Sequence, residues 1–191
     1  MNFTEQEVRK LVEVYPFLLP INIWTGKVDE HYQYDYIRGQ YELPVGWHRL
    51  FLLYCKHLRI ELVKANMLNS FQFSDIKEKY GFMRLDNFGY PGNAQYLETI
   101  YESFSRQVCY LCGDIAEWET TGWIVPVCSS CAKKENWQCI KSSSKSCAHV
   151  TRITTDGNYE VFYSFRELKK EYKKVLAMST QEFIEYLLTV E

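Results

Sequence analysis

Apolar residues recur at helical spacing along much of the chain. Val8, Leu11, Val12 and Tyr15 sit three, four and seven positions apart, the pattern of one helix face. Thr4 and Glu7 form the reciprocal capping pair that opens such a helix, and Pro16 stops it. The longest helical pattern runs from Trp47 to about Asn66. Leu50, Leu53, Tyr54, His57, Leu58, Glu61 and Leu62 trace its inner stripe. A further helix is expected from about Asn93 to Gln107, with Tyr96, Leu97, Ile100 and Phe104 facing inward. Ser164 with Glu167 and Ser179 with Glu182 repeat the capping signature. The first opens a helix carrying Phe165, Leu168 and Tyr172; the second opens one carrying Phe183, Ile184, Leu187 and Leu188.

Elsewhere the period drops to two. Phe71, Phe73 and Asp75 alternate with Gln72, Ser74 and Ile76, and Met83 and Leu85 alternate with Arg84 and Asp86. The turn near Tyr80-Gly81 between them predicts a β-hairpin. Val150 to Thr155 and Asn158 to Tyr163 flank Asp156-Gly157, a strong two-residue turn signal. Tyr32, Tyr34 and Tyr36 also alternate, as a strand would, or a loop with one aromatic side; Pro44 and Gly46 close that stretch. Residues 140–148, rich in Ser and Lys, read as a flexible link. The class is therefore α+β, with small mixed helices and antiparallel hairpins. Three regions are expected: residues 1–108 as a helix-hairpin-helix unit, 109–139 as a metal module, and 140–191 as a linker, a hairpin and two short helices.

The metal module rests on cysteine spacing. Cys109-Tyr-Leu-Cys112 and Cys128-Ser-Ser-Cys131 are two CxxC pairs with 15 residues between them. Zn²⁺ takes four tetrahedral ligands, with thiolates at about 2.3 Å. Two intervening residues let a tight turn aim both sulfurs at one point, and Gly113 stands where such a turn needs positive φ. The gap suits a hairpin, with Glu117-Trp118-Glu119 and Trp123-Ile124-Val125 as strands and Thr120-Thr121-Gly122 at the turn. Ala132 to Asn136 can then be helical. Knuckle, hairpin and helix in that order describe a treble clef; a zinc ribbon is the alternative. Four thiolates leave no open position for water, so the zinc is expected to be structural. A zinc deaminase needs a Glu two residues after a His ligand, and no His here is followed that way.

Composition narrows the class further. The chain has 191 residues, 47% hydrophobic and 24% charged, as ordinary globular proteins do. Its net charge of −2 gives little electrostatic footprint for a polyanion. The aromatic fraction of 16%, with 15 Tyr, supplies either a dense core or an adhesive surface. The first residues lack the basic and apolar parts of a signal peptide, and no apolar run is long enough to span a bilayer. A cytoplasmic location, in a bacterium or an infected host cell, is the expectation, with seven Cys read as ligands and buried thiols.

Other constellations are weaker. Cys139, Cys147 and His149 lack an evident fourth ligand and read as thiols and a surface imidazole. Cys55 and His57, two residues apart on a helix, point about 200° apart and read as core. No Gly-rich phosphate loop, GxSxG or HExxH occurs. Tyr32, Tyr34, Tyr36, Tyr41 and Trp47 are candidates for a partner-binding surface.

The order of motifs resembles a group of uncharacterised bacterial and phage proteins. Gly46-Trp47 opens a Leu-rich helix. Ile76-Lys77-Glu78-Lys79-Tyr80-Gly81-Phe82-Met83-Arg84-Leu85 matches that group's hairpin. Cys109 to Gly113 and Gly122 to Cys131 match its zinc module. The resemblance spans about residues 44–134. The group often ends its ligand set in His where this chain has Cys131. The resemblance implies a phage or prophage setting and a zinc-stabilised fold, and no particular activity. The leading expectation is a non-enzymatic, zinc-stabilised protein that binds another protein, such as a component of a host defence system, or a second copy of itself. The alternatives are a nucleic-acid-binding zinc module, contacting its ligand through Lys133, Lys134, Lys141, Lys145 and Arg152, and an enzyme of unstated reaction.

Overall fold

The N-terminal helix α1 (Glu5–Val14) begins as its capping pair dictates. The Thr4 side chain accepts from the Glu7 N–H while the Glu7 carboxylate accepts from the Thr4 N–H. Val8 and Leu11 bury completely on its inner face. A 3₁₀ turn, Pro16–Leu18, follows at the proline. The computed structural model describes residues 3–22, 24–91, 94–142, 149–153 and 159–189.

Helix α2 (His48–Lys64) is the axis of the molecule, and nine of its residues are buried. A helix buried on so many sides must be surrounded. The hairpin β1 (Phe73–Lys79) and β2 (Phe82–Asn87), the helix α3 (Ala94–Ser105) and the C-terminal helices surround it. The hairpin pairs Ile76 with Leu85 and Glu78 with Met83. It turns through Tyr80 and Gly81, both at positive φ. Glu102 of α3 fastens it, accepting from the Leu85 N–H at 2.9 Å and from the Arg84 guanidinium at 2.6 Å.

Residues 109–142 build a smaller layer with its own core of Cys109, Ala116, Val125, Val127 and Cys128. Here β3 (Trp118–Thr120) pairs with β4 (Pro126–Val127) on one side and β5 (Cys139–Lys141) on the other, all antiparallel, and α4 (Ser129–Lys134) lies between β4 and β5 in the chain. The expected link at residues 140–148 thus begins as a strand. Its lack of an apolar pattern reflects an exposed edge. The rest of that stretch, residues 143–148, lies outside the described residues.

A third pair follows, β6 (His149–Ile153) with β7 (Tyr159–Ser164). The Asp156-Gly157 turn that would join them also lies outside the described residues. Helix α5 (Phe165–Ala177) starts at Ser164, whose hydroxyl accepts from the Glu167 N–H, and α6 (Thr180–Leu188) carries the reciprocal Ser179–Glu182 cap. Phe165, Leu168, Tyr172, Val175, Phe183 and Leu187 join the same core as Val8, Leu11 and Leu50. The last two helices therefore complete the main core and do not form a region apart.

Polar groups of α2 hold the surrounding helix ends. The Arg59 guanidinium donates to the Val14 carbonyl at 3.0 Å, Arg49 to the Val175 carbonyl at 2.5 Å, and the Lys56 ammonium to the carbonyls of Tyr186, at 2.9 Å, and Thr189. Each places a cation on carbonyls at or beside the last turn of a helix, where the dipole favours positive charge; the Val175 carbonyl also accepts from the Met178 N–H at 3.2 Å. Cys55 is fully buried, and His57 links Tyr101 and Glu171 through its two ring nitrogens at 2.7 and 3.1 Å. Cys55 joins the main core, and His57, half-buried, packs its ring against Tyr101.

Two aromatic expectations are corrected. Trp47 is fully buried, and its indole donates to the Val108 carbonyl at 3.0 Å, so it is an anchor of the core and presents no surface to a partner. Tyr96 points to the exposed side of α3. The described residues of 19–44 form turns, with one isolated bridge between Ile21 and Val28, and no regular strand. Tyr32, Tyr34, Tyr36 and Tyr41 form a chain of neighbouring rings, with centroids 5.0 to 5.6 Å apart from one ring to the next. The Arg9 guanidinium lies 3.6 Å from the Tyr34 ring centre, a cation–π contact that ties the cluster to α1. Burial pushes the phenols of Tyr32 and Tyr36 up to about 12. Only Tyr41 of the four is largely exposed.

Candidate metal centre

The first cysteine pair lies on a turn closed by the backbone. The Gly113 N–H donates to the Cys109 carbonyl at 3.0 Å, and the Cys109 N–H to the Asp114 carbonyl at 2.7 Å. Gly113 sits at φ 84, which glycine adopts without cost. The second pair opens α4. Cys128 is its N-cap, and its sulfur accepts from the Cys131 N–H at 3.4 Å. The β3–β4 strands return the chain between the pairs, and the Tyr110 N–H donates to the Pro126 carbonyl at 2.8 Å, locking one pair beside the other.

The result is convergence. The sulfurs of Cys109, Cys112, Cys128 and Cys131 all lie within 4.8 Å of one another. Cys112 Sγ and Cys128 Sγ are 3.7 Å apart. Four thiolates around Zn²⁺ at about 2.3 Å would stand about 3.8 Å from each other. The cluster can thus hold a metal ion. Cys109 and Cys128 are buried, Cys131 half-buried and Cys112 exposed.

The electrostatics suit a cation. Burial opposes ionisation of Cys109, but the N–H groups of Cys128, Cys112 and Leu111 outweigh it and hold its thiol below the ordinary range. Burial and the neighbouring Cys109 thiolate push the Cys112 thiol up to about 11, and burial raises that of Cys131 too. Several thiolates cannot share this space alone, and a divalent cation reverses the preference.

The cluster is also fused to the main core. Gly46 N–H donates to the Tyr110 carbonyl at 3.2 Å, and a Cβ on Gly46 would stand 2.1 Å from the Cys109 carbonyl oxygen. Only glycine lets the start of α2 meet the knuckle so closely. The Tyr172 hydroxyl of α5 donates to the Gly113 carbonyl at 2.7 Å.

Among the described residues, these four cysteines are the one group of metal-ligand side chains that converges. Cys139 stands apart on β5, its thiol directed to the Trp137 carbonyl at 3.5 Å. Cys147 lies outside the described residues, and His149 is on β6. Lys133 and Lys134 end α4 and Lys141 lies on β5, all exposed; Arg152 is on β6, and Lys145 lies outside the described residues.

A feature with no periodic signal lies beside the cluster. Trp123 and Trp137 line a cleft of about 540 Å³ with Tyr110, Thr120, Thr121 and Gln138. Trp137 also lines an adjoining hollow of about 330 Å³ with Trp118 and Lys133. The tryptophans come from the β3–β4 loop and the α4–β5 loop, which only the folded module unites.

No family model matches the chain, and neither a curated protein nor a solved structure matches it. No described helix is long and apolar enough to cross a membrane.

Proposed function

We propose that this is a non-enzymatic, zinc-stabilised binding protein that engages another protein through the aromatic face of its metal module. The observation that carries this is the exposure of Trp123 at 68% and Trp137 at 38%, with Ile124 and Ile140 exposed on the same module. Large apolar side chains gathered on one surface mark interaction sites, and Trp is enriched where protein interfaces concentrate their energy. The Cys₄ donor set and its spread of sulfurs favour Zn²⁺ over harder cations. Knuckle, hairpin and helix follow one another as in a treble clef, which supports that reading of the module over a ribbon. Four thiolates saturate the ion, so its role is to hold the cleft in shape. In the phage setting that the sequence resemblance implies, the partner is a host protein.

The test is affinity capture from host lysate with mass spectrometry, using the intact protein and a variant carrying Trp123→Ala and Trp137→Ala. The expected result is a defined protein recovered by the first and lost by the second, with metal content equal in both. Recovery of nucleic acid alone would overturn the reading.

A further inference from the structure

We infer that the cleft between Trp123 and Trp137 takes a proline-rich peptide in the extended polyproline II conformation. This rests on the protein-binding reading above and names the chemistry of the partner segment. The first argument is charge. Tyr110, Thr120, Thr121, Trp123, Trp137 and Gln138 carry no ionic group, and the one charged residue of the adjoining hollow is Lys133. A phosphate backbone needs a cationic track beside its stacking rings, and this lining has none. The second argument is shape. A docked amphipathic helix lays anchors from successive turns along an extended apolar groove, whereas this cleft sets two indoles, a phenol and Val125 beside the polar side chains of Thr120, Thr121 and Gln138.

Polyproline II asks for what is present. Its carbonyls make no internal hydrogen bonds and its prolines have no N–H, so it seeks flat apolar walls and hydrogen-bond donors. The Trp123 and Trp137 indoles, donors only, and the Tyr110 phenol make no side-chain hydrogen bond among the described residues and line the cleft. The loops that carry the walls are tied together. The Thr120 hydroxyl accepts from the Val125 N–H at 2.9 Å and donates to the Trp123 carbonyl, while the Thr121 hydroxyl donates to the Gln138 carbonyl at 3.3 Å. A peptide that is stiff before binding, meeting loops whose backbone is already tied, loses little conformational entropy. Trp137 borders both hollows, so a second ring about 9 Å further along the threefold ligand repeat has a place to pack.

The test is a titration of the zinc-loaded protein with decaproline, followed by the NMR signals of the tryptophan indole N–H groups. A Gly-Ser peptide and an oligothymidylate of equal length serve as comparisons. Decaproline alone is expected to move the Trp123 and Trp137 signals saturably and to leave buried Trp47 in place. Trp123→Ala is expected to weaken binding about tenfold or more, with the Trp47 signal and metal content certifying its fold. Unmoved indoles with decaproline, equal binding by the variant, or a response to oligothymidylate instead would each overturn the inference. If decaproline fails while the double tryptophan variant still loses its captured protein, the peptide class falls and the protein-binding reading stands.

Discussion

The hydroxyl of Tyr172 donates to the carbonyl of Gly113 across 2.7 Å, joining a C-terminal helix to the turn that carries two cysteines. Both groups are buried. The cysteine cluster is therefore part of the molecule's frame and not an appendage on a tether. Tyr172→Phe keeps the ring and its edge contact with Phe104 but leaves the carbonyl without this donor. The expected cost is about 1–3 kcal/mol, read as a lower denaturation midpoint of the metal-loaded protein in urea. An unchanged midpoint would mean the bond contributes nothing.

Gly46→Ala tests the same junction from the other side. The added methyl would sit 2.1 Å from the Cys109 carbonyl oxygen and 2.7 Å from that of Tyr110. Both are backbone atoms, so neither can swing aside. The expected loss is about 3 kcal/mol or more, together with weaker metal retention in a chelator competition. A control substitution at Gly26, where a Cβ would meet nothing within 4 Å, carries only the strain of its positive φ and is expected to leave metal retention unchanged.

Much of this was legible locally. The caps at Thr4 and Ser179 act within one helical turn, and the two CxxC pairs carry their geometry in their own spacing. What escaped depends on distant partners. Trp47 looks like a surface aromatic until Val108 supplies the acceptor for its indole. The Tyr32–Tyr36 alternation imitates a strand, but Arg9 packs on Tyr34 and Asp29 accepts from the Tyr36 hydroxyl, and these contacts shape a loop. Strand β5 hides in a polar stretch because its pairing with β3 is made by the backbone. The cleft was invisible for the same reason, since its two tryptophans lie on separate loops.

Helix ends give a further expectation. Arg59→Met keeps the aliphatic stem and removes the guanidinium that caps α1 at the Val14 carbonyl. The expected destabilisation is about 1–2 kcal/mol, measurable by thermal unfolding. A loss of similar size should follow from Arg49→Met at the end of α5, and the two should add, because they hold different helices.

Glu98 supplies a pH dependence. Burial, helped by Glu102 and Asp86, raises its carboxyl above the ordinary range against the Tyr90 hydrogen bond. An acid raised on folding is bound to its proton more tightly in the folded state, so it opposes stability as pH rises through its folded pKa. Glu98→Gln is therefore expected to stabilise at pH 7. The gain is about 0.5 kcal/mol, because the group keeps contact with water. It should vanish in acid below the ordinary carboxylate range. A gain that persists there would place the effect elsewhere.

The sulfur cage is tested most directly by weighing the metal in purified protein, using elemental mass spectrometry beside protein quantitation. The expected result is one zinc per chain, falling to a small fraction when Cys109 and Cys128 are both replaced by Ser. Native protein that carries no stoichiometric metal, or a doubly substituted chain that keeps its full complement, would contradict it.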